Sequence, residues 1–405
     1  MTGREGPAPL GSPLPIHPGI FEGQEKMMTP TTEAGLADLV AHARDPLRIQ
    51  GGGTRDIGAP VQGDVVSTTG LSGVSLYEPG ALTLVAGAGT PLAEIEATLA
   101  AEGQRLAFEP MDHRGLLGTS GTSTIGGVVA GNISGPRRIQ AGACRDSLLG
   151  VRFVDGAGRV LKNGGRVMKN VTGYDLVKLM AGSWGTLGVL TEVSLKVQAL
   201  PEAVGCVLIN GLSDKDAVAA MSAALGSPFD VSGAAHTPSG VDGHPVTMIR
   251  IEGLEASVAY RAAKLTGALA RFGGEVSVER DANKVAAGWA WVRDVALMQG
   301  GVGDVWRISV KPSDGQKVIE KLRALYADLG VLYDWGGGLV WVQVPEGTDV
   351  RSVSFDGHAT LIRSSHETRV FLPVFHPEPA SLAALSRGLR AKFDPRGILN
   401  PGLMG

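Results

Sequence analysis

The spacing of apolar residues predicts strands and helices from about residue 32 onward. A helix follows Thr32, with apolar residues at helical spacing at Leu36, Leu39, Val40 and Ala43. Short apolar runs bounded by glycine and proline predict strands at PLRIQ, DVVST, VSLYE and ALTLVAG. The segment TPLAEIEATLAAEG predicts a helix with Thr90 as its cap, Pro91 in its first turn and Gly103 at its end. The segment LLGVRFVDGAGRVLK predicts a hairpin.

Beyond about residue 200 the glycine-rich segments thin out and strands alternate with longer helices. The order GCVLIN, a helix, PVTMIRIEG and a second helix indicates a β-α-β-α arrangement. A similar order recurs from VWRISVKP, with one helix carrying Val318, Ile319, Leu322, Tyr326 and Leu329. Two related halves and a chance likeness of short elements both remain open. The predicted fold class is α+β, with a boundary near residue 200.

Composition and charge exclude several classes of protein. Apolar residues make up 43% of the 405 residues and charged residues 19%, which is typical of a globular protein. The 37 basic and 40 acidic residues give a formal charge of -3 without a basic run, so a nucleic-acid partner is not expected. Cys144 and Cys206 are too few for an iron-sulfur cluster of the chain's own, and we expect both to be buried and reduced.

The first 27 residues differ in composition from the rest. They are rich in proline and glycine, and we interpret them as a flexible leader without the apolar block of a signal peptide. No stretch reaches the roughly 18 consecutive apolar residues that a membrane span needs. We therefore expect a cytoplasmic protein that lies at a membrane only where partner subunits hold it there.

Three segments concentrate glycine in the first half of the chain, at residues 50–58, 118–138 and 173–197. Clustered glycine loses much conformational entropy on folding, so it suggests backbone that turns sharply or approaches a ligand closely. Backbone N–H groups in such loops can hold a pyrophosphate, and nearby Thr and Ser hydroxyls add donors. The pattern suggests a dinucleotide, although turns without a ligand remain an alternative. No segment matches the G-x-G-x-x-G fingerprint or the P-loop motif.

Several longer motifs resemble a known family of flavoproteins. They are QGGGT, GTSTIGGVVAGNISGPRR, VMKNVTGYDLVKLMAGSWGTLGVLTEVSLKV and the terminal FDPRGILNPG. Together they resemble the p-cresol methylhydroxylase and vanillyl-alcohol oxidase superfamily, and within it the FAD-binding subunits of bacterial glycolate oxidases. The resemblance implies a leader (1–27), a two-subdomain FAD-binding domain (28–200), a smaller α+β cap domain (201–392) and a C-terminal tail that returns to the FAD domain (393–405).

The resemblance also assigns residues to the cofactor FAD. It implies that the first loop binds the pyrophosphate and that the second runs along the pyrophosphate and the flavin. The third loop would close on the cofactor, with main-chain bonds from Val189 to the adenine. Asn400 would reach the edge of the flavin. The implied residues are Gly51, Gly52, Gly53 and Thr54; Ser123, Thr124, Ile125, Gly126, Gly127, Gly131 and Asn132; Gly182, Gly185, Gly188 and Val189; and Asn400.

Two departures from the family pattern affect the chemistry. Members with covalent flavin carry histidine after the glycine triplet, whereas this chain has Thr54, so we predict non-covalent FAD. Catalytic 2-hydroxy-acid dehydrogenases of the family carry a histidine motif that binds a metal, whereas this chain offers DGHATLIRSSHETR. His358 could serve there as a general base, with Arg363 for the substrate carboxylate. No metal ligands are predicted.

Three functions follow from the resemblance. The first is an FAD-binding subunit that works with a catalytic FAD subunit and an iron-sulfur subunit in the oxidation of glycolate to glyoxylate, with an electron acceptor other than oxygen. The second is a self-sufficient FAD-dependent dehydrogenase of a D-2-hydroxy acid, which would need a working site around His358. The third is a non-catalytic scaffold that carries an idle flavin.

Overall fold

Three main β-sheets organise the chain. The structure is a computed structural model that describes residues 26–167 and 173–405, so most of the expected leader and part of the KNVTGYDL motif lie outside the described residues. The strands are β1 Met27–Met28, β2 Leu47–Gln50, β3 Asp64–Ser67, β4 Val74–Glu78, β5 Thr83–Gly87, β6 Gln104–Arg105, β7 Leu148–Val154, β8 Val160–Gly164, β9 Val189–Lys196, β10 Gln198–Ala199, β11 Ala203–Asn210, β12 Val231–Thr237, β13 Val246–Gly253, β14 Glu275–Glu279, β15 Asp304–Val310, β16 Gly330–Asp334, β17 Leu339–Val344 and β18 Gly357–Arg363.

Thirteen α-helices are present within the described residues. They are α1 Glu33–His42, α2 Leu92–Ala101, α3 Arg114–Leu117, α4 Ile125–Ala130, α5 Arg138–Ala141, α6 Cys144–Ser147, α7 Leu176–Met180, α8 Asp214–Leu225, α9 Glu255–Leu269, α10 Ala282–Arg293, α11 Pro312–Arg323, α12 His366–Phe371 and α13 Ala380–Phe393. Over the same part of the chain, none of these helices combines the length and the apolar character that a membrane crossing requires.

The first half of the chain forms two subdomains. A parallel sheet of three strands, in the order β1-β3-β2, packs against α1 through a core that includes Leu36, Val40 and Val66. An antiparallel sheet of five strands, in the order β4-β5-β9-β7-β8, buries its own core with α2 and α4. Strand β9 lies in the centre of this sheet, so it is buried on both faces and lacks a solvent-facing row.

The second half forms one antiparallel sheet of eight strands. Its order is β14-β11-β13-β12-β16-β17-β15-β18, and α8, α9 and α11 contribute to its core. The predicted α+β class is therefore confirmed. The sequence did not predict strands β12, β14 and β18 or helix α10. The three strands were missed because short strands that contain Gly233, His236 or charged edge residues do not show a clear apolar period.

The C-terminal segment returns to the first subdomain, as the fold class predicted. Leu47 N donates to the carbonyl of Ile398 at 2.7 Å, and Asn400 N donates to the carbonyl of Leu47 at 3.0 Å. Ile398 and Leu399 are buried in the core of the three-stranded subdomain. Residues near position 400 thus complete a subdomain whose other elements begin at position 27.

Two local predictions were wrong. Pro91, not Thr90, occupies the cap position of α2, since the Thr90 hydroxyl donates to the Gly87 carbonyl at 2.7 Å and accepts from Gly73 N at 2.9 Å. Helix α11 ends at Arg323, so Tyr326 and Leu329 lie beyond it, although both pack against the same core.

Candidate functional site

A cavity of about 690 Å³ lies where the three glycine-rich segments and the C-terminal segment meet. Its volume is typical of a site for a large organic ligand. Ten of the residues expected to bind FAD line it: Gly51, Gly52, Gly53, Thr54, Thr124, Gly126, Gly127, Gly185, Gly188 and Asn400. Segments that are more than 300 residues apart in the sequence thus form one wall.

Glycine is required at two points of this wall. A Cβ on Gly52 would lie 1.7 Å from the carbonyl oxygen of Thr122, so the first and second loops touch backbone to backbone. Gly185 has φ +74°, and a Cβ there would lie 3.0 Å from Nδ2 of Asn400. Both positions therefore exclude a side chain for reasons of fold, which keeps the loops close together around the cavity.

Arg55 is a partly buried cation in the cavity wall. Its guanidinium donates to Ser123 Oγ at 2.9 Å, to the Met111 carbonyl at 3.3 Å and to Thr54 Oγ1 at 3.3 Å. Within residues 26–167 and 173–405 no carboxylate forms an ion pair with it, and its Nε has no hydrogen-bond partner. Burial lowers the pKa of Arg55 to about 10. The guanidinium still carries its charge at neutral pH; the charge of Asp112 acts on it, but no acid of the described residues is in direct contact with it.

Asn400 joins two walls of the cavity. Its side-chain oxygen accepts from Ile49 N at 2.7 Å, and its Nδ2 donates to the Trp184 carbonyl at 2.8 Å. Its own backbone has φ 44°, a conformation that asparagine tolerates better than most residues. The amide group therefore connects the end of β2 to the turn before β9.

Six of the residues assigned to FAD are not among those that line the cavity. They are Ser123, Ile125, Gly131, Asn132, Gly182 and Val189. Ser123 holds Arg55, and Asn132 Oδ1 accepts from Arg145 N at 3.0 Å at the end of α4. Ile125 and Val189 are completely buried in the cores of the two subdomains. A direct role of these six residues in FAD binding remains a prediction.

His358 and Arg363 occupy different environments. His358 lies on β18, is exposed and does not line the cavity. Desolvation of the ring by neighbouring protein atoms, followed by the charges of Arg307, His376 and Arg138, lowers the pKa of His358. The guanidinium of Arg363 donates to the carbonyls of Leu116, Met298 and Gly303, and its role in binding a carboxylate stays a prediction.

Sequence reasoning missed several residues that line the cavity. Arg55 directly follows the first glycine loop, and that position was a readable signal. Trp184 has φ 52° and donates its N–H to the Ala130 carbonyl, and its ring contacts Phe375 edge-on at 5.7 Å. Arg369 of α12 donates to Asp56 Oδ2 at 2.9 Å. The last two depend on contacts between distant segments, which no local pattern reveals.

No group of three or more His, Cys, Asp or Glu side chains is arranged to hold a metal ion in the part of the chain that the structure describes. Both cysteines are free and buried, as expected.

Comparisons with known proteins identify the family. Residues 25–164 match the model of an FAD binding domain. The chain is 36% identical over 368 residues to glycolate oxidase subunit GlcE of Escherichia coli (strain K12), which covers 89% of this chain and 93% of that protein. The chain belongs to the family of FAD-binding glycolate oxidase subunits. It is also 32% identical over 155 residues to a D-lactate dehydrogenase of Archaeoglobus fulgidus, over 38% of this chain and 33% of that protein.

A solved structure shows the same fold. An alkyldihydroxyacetonephosphate synthase superposes with a TM-score of 0.68 at 17% identity, over 93% of this chain and 76% of that one. At this identity the likeness concerns the fold alone. Membership of the family establishes FAD as the cofactor, and non-covalent attachment remains a prediction based on Thr54.

The cavity has the properties that FAD requires. The pyrophosphate of FAD is anionic, and Arg55 supplies a cation that, among the described residues, has no direct ion pair and an Nε without a hydrogen-bond partner. The glycine loops leave backbone groups exposed to the cavity rather than covered by side chains. We therefore infer that Gly51, Gly53, Arg55, Thr124 and Gly127 are the residues that would hold the phosphates.

Proposed function

We propose that this chain is the FAD-binding subunit of a glycolate oxidase complex that converts glycolate to glyoxylate. The single observation that supports this most strongly is the cavity between the three glycine-rich segments, with the partly buried cation of Arg55 in its wall. The likeness to GlcE over 93% of that protein supports the assignment to such a complex. Electrons would leave to an acceptor other than oxygen through an iron-sulfur partner, with a further catalytic FAD subunit.

Oxidation of a 2-hydroxy acid removes a hydride from C2 and a proton from the hydroxyl group. FAD supplies the hydride acceptor when it is bound. This chain would bind the cofactor through its loops, place Arg55 against the negative charge of the FAD phosphates and offer a base for the hydroxyl proton. His358 is a candidate for that base, because its lowered pKa keeps the imidazole neutral at pH 7.

The cytoplasmic location is part of the same proposal, with any contact to a membrane made through partner subunits. Glycolate itself is proposed as the substrate because a glycolate oxidase subunit is 36% identical over 89% of this chain, whereas a D-2-hydroxyglutarate dehydrogenase that covers 94% of the chain is only 24% identical.

A first experiment tests the cofactor and the partners together. The chain is produced alone and with its two proposed partner subunits, and the flavin spectrum and glycolate-dependent reduction of an artificial electron acceptor are measured. We expect the isolated chain to carry FAD that is released by acid, and turnover only in the complex. A colourless chain that does not bind FAD in calorimetry would refute the proposal.

A self-sufficient dehydrogenase is the second candidate, and the strand register that places His358 and Arg307 on one face of the sheet favours it. Anaerobic addition of glycolate or D-lactate to the isolated chain distinguishes the two. Bleaching of its flavin would support the second candidate, whereas an unchanged spectrum with activity only in the complex supports the first.

A further inference from the structure

Two arginines share one tryptophan ring at the boundary between the FAD-binding half and the eight-stranded sheet. Cζ of Arg138, in α5, lies 4.6 Å from the ring centroid of Trp335, and Cζ of Arg307, in β15, lies 5.1 Å from it. In the described part of the chain, neither guanidinium donates a hydrogen bond or forms an ion pair. Two partly buried cations are therefore held together without an anion.

The tryptophan is fixed in place by both halves of the chain. Trp335 Nε1 donates to the Gly135 carbonyl at 3.0 Å, and the same carbonyl accepts Arg138 N at 3.1 Å. Trp335 adopts φ 52°, an unfavourable conformation for a large side chain. Strain of this kind persists only where the surroundings enforce it, and it is common at ligand sites.

The charges of Asp334 and Asp146 act on Arg307 and Arg138, but neither acid forms an ion pair with them in the described residues. Asp334 is buried, and its Oδ1 accepts Trp335 N at 2.7 Å rather than a guanidinium N–H. Burial raises the pKa of Asp334 to about 7. Burial, followed by the charge of Arg138, lowers the pKa of Arg307 to about 10. The local potential is thus positive and favours an anion.

His358 shares a sheet face with Arg307. In the pairing of β15 with β18, Ser309 is opposite His358, and Arg307 is opposite Thr360. Since side chains alternate along a strand, residues 307, 309, 358 and 360 point to the same face. His358 and Arg307 are therefore diagonal neighbours on that face, within reach of long side chains.

The arginine pair is also connected electrostatically to the FAD cavity. His113 is buried, and its Nδ1 has no hydrogen-bond partner among the described residues. Burial, followed by the charges of Arg55 and Arg307, lowers the pKa of His113 to about 3. The charges of Arg55 in the cavity wall and of Arg307 in the arginine pair thus act on the same neutral histidine.

We propose that Arg138 and Arg307, held on the ring of Trp335, form a binding site for the carboxylate of a small organic acid, with His358 facing the same site. A guanidinium binds a carboxylate with two parallel hydrogen bonds, and two guanidiniums from different halves would orient it. This inference rests on the proposed function, since it assigns the carboxylate of the 2-hydroxy acid to this chain rather than to a partner.

The test uses the full chain reconstituted with FAD and isothermal titration with oxalate, which is similar in size to glycolate but is not oxidised by removal of a hydride. We expect wild-type protein to bind oxalate and glycolate, and not the neutral amide of glycolate. Arg138→Met and Arg307→Met should each weaken oxalate binding by about 10- to 100-fold, and Arg307→Lys by less. FAD affinity, titrated separately, should stay unchanged.

Arg271→Met is the matched control, because Arg271 also lies over an aromatic ring, 4.9 Å from the centroid of Phe272, in the turn after α9. It should bind oxalate as wild type does. Removing one of two neighbouring cations relieves repulsion, so both test variants should melt at or above the wild-type temperature.

Three results would overturn the inference. They are equal oxalate binding by all variants, tighter binding of inorganic phosphate than of oxalate, and a loss of FAD affinity in Arg138→Met or Arg307→Met that matches the loss for oxalate. Failure of the wild-type chain to bind oxalate or glycolate while it holds FAD would also overturn it, and would leave the cofactor role intact. Oxalate titration of protein without FAD tests the site even where FAD does not bind.

Discussion

Replacing Arg55 with methionine tests whether the positive charge of Arg55 binds the cofactor or stabilises the apo protein. The methionine keeps most of the buried aliphatic length and removes the charge. Arg55 has no carboxylate partner in the described residues, so its removal leaves no buried anion behind. We therefore expect Arg55→Met to weaken FAD binding while the apo protein keeps its stability.

The structure gives the size of both effects. Burial lowers the pKa of Arg55 from 12.5 to about 10. At about 1.4 kcal/mol for each pKa unit, holding the charge in the apo protein costs about 3 kcal/mol. The three lost hydrogen bonds are worth about 1 kcal/mol each, so the free energy of unfolding should change by less than about 1 kcal/mol. Loss of charge-assisted bonds to an anion costs about 1.5 to 3 kcal/mol, or about 10- to 150-fold in Kd.

The assay combines urea unfolding of the apo protein with a titration of FAD fluorescence. Arg369→Met is the control, since Arg369 lines the same cavity but already pairs with Asp56. We expect less than about threefold change in FAD affinity there, in line with an ion pair that is largely exposed on the acid's side. Wild-type FAD affinity in Arg55→Met, or an apo protein destabilised by more than about 3 kcal/mol, would refute the reasoning.

Further predictions concern the loops, the thiols and the ion pairs between the sheets. Gly127→Leu should abolish FAD binding without unfolding the protein, because a Cβ there lies 3.4 Å or more from its neighbours and a longer side chain enters the cavity. Burial raises the pKa of Cys144 and Cys206, the latter to about 12, so neither thiol should react with a thiol reagent at pH 8 until denaturant is added. Burial alone would raise the pKa of Glu252, but the charges of Arg137 and Arg250 outweigh burial and hold this pKa below its usual value. The carboxylate therefore stabilises the fold above about pH 4.5, and this stabilisation is lost as the pH falls below that value. Urea unfolding of wild type and Glu252→Gln at pH 7 and pH 4 measures the loss.

Each of these predictions has a control. Gly126→Ala should lower the melting temperature instead, since its Cβ would lie 2.7 Å from the Ala88 carbonyl oxygen. Equal FAD affinity of Gly127→Leu and wild type would contradict the placement of the second loop. Rapid labelling of native Cys144 or Cys206 would contradict their burial. A difference between wild type and Glu252→Gln that is the same at both pH values would show that Glu252 contributes no charge-dependent stability.

The sequence was sufficient to predict the fold class and the glycine loops, because both depend on local signals. Apolar period and turn residues identified β4, β5, α2 and the hairpin of β7 and β8. The glycine clusters marked backbone that packs against other backbone, as Gly52 does against Thr122. These features are encoded within a few residues of chain, so they can be recognised without tertiary information.

Other features depend on contacts between distant segments. The pairing of Arg138 and Arg307 on Trp335 joins residues from α5, β15 and the turn after β16. The hydrogen bonds from Arg363 to three carbonyl groups are equally invisible in the sequence. An isolated arginine looks the same in the sequence whether its guanidinium will contact a substrate, a carbonyl group or another arginine, so the sequence alone could not show these contacts.

The link from Asn400 to the Ile49 backbone and the Trp184 carbonyl has a consequence for biosynthesis. One wall of the cavity is incomplete until residue 400 has left the ribosome, so loading of the flavin must follow translation of almost the whole length shown here. A nascent chain stalled in the eight-stranded sheet would carry the glycine loops without the residue that ties them together. Expression tags and truncations near position 400 should therefore reduce flavin content before they affect the rest of the fold.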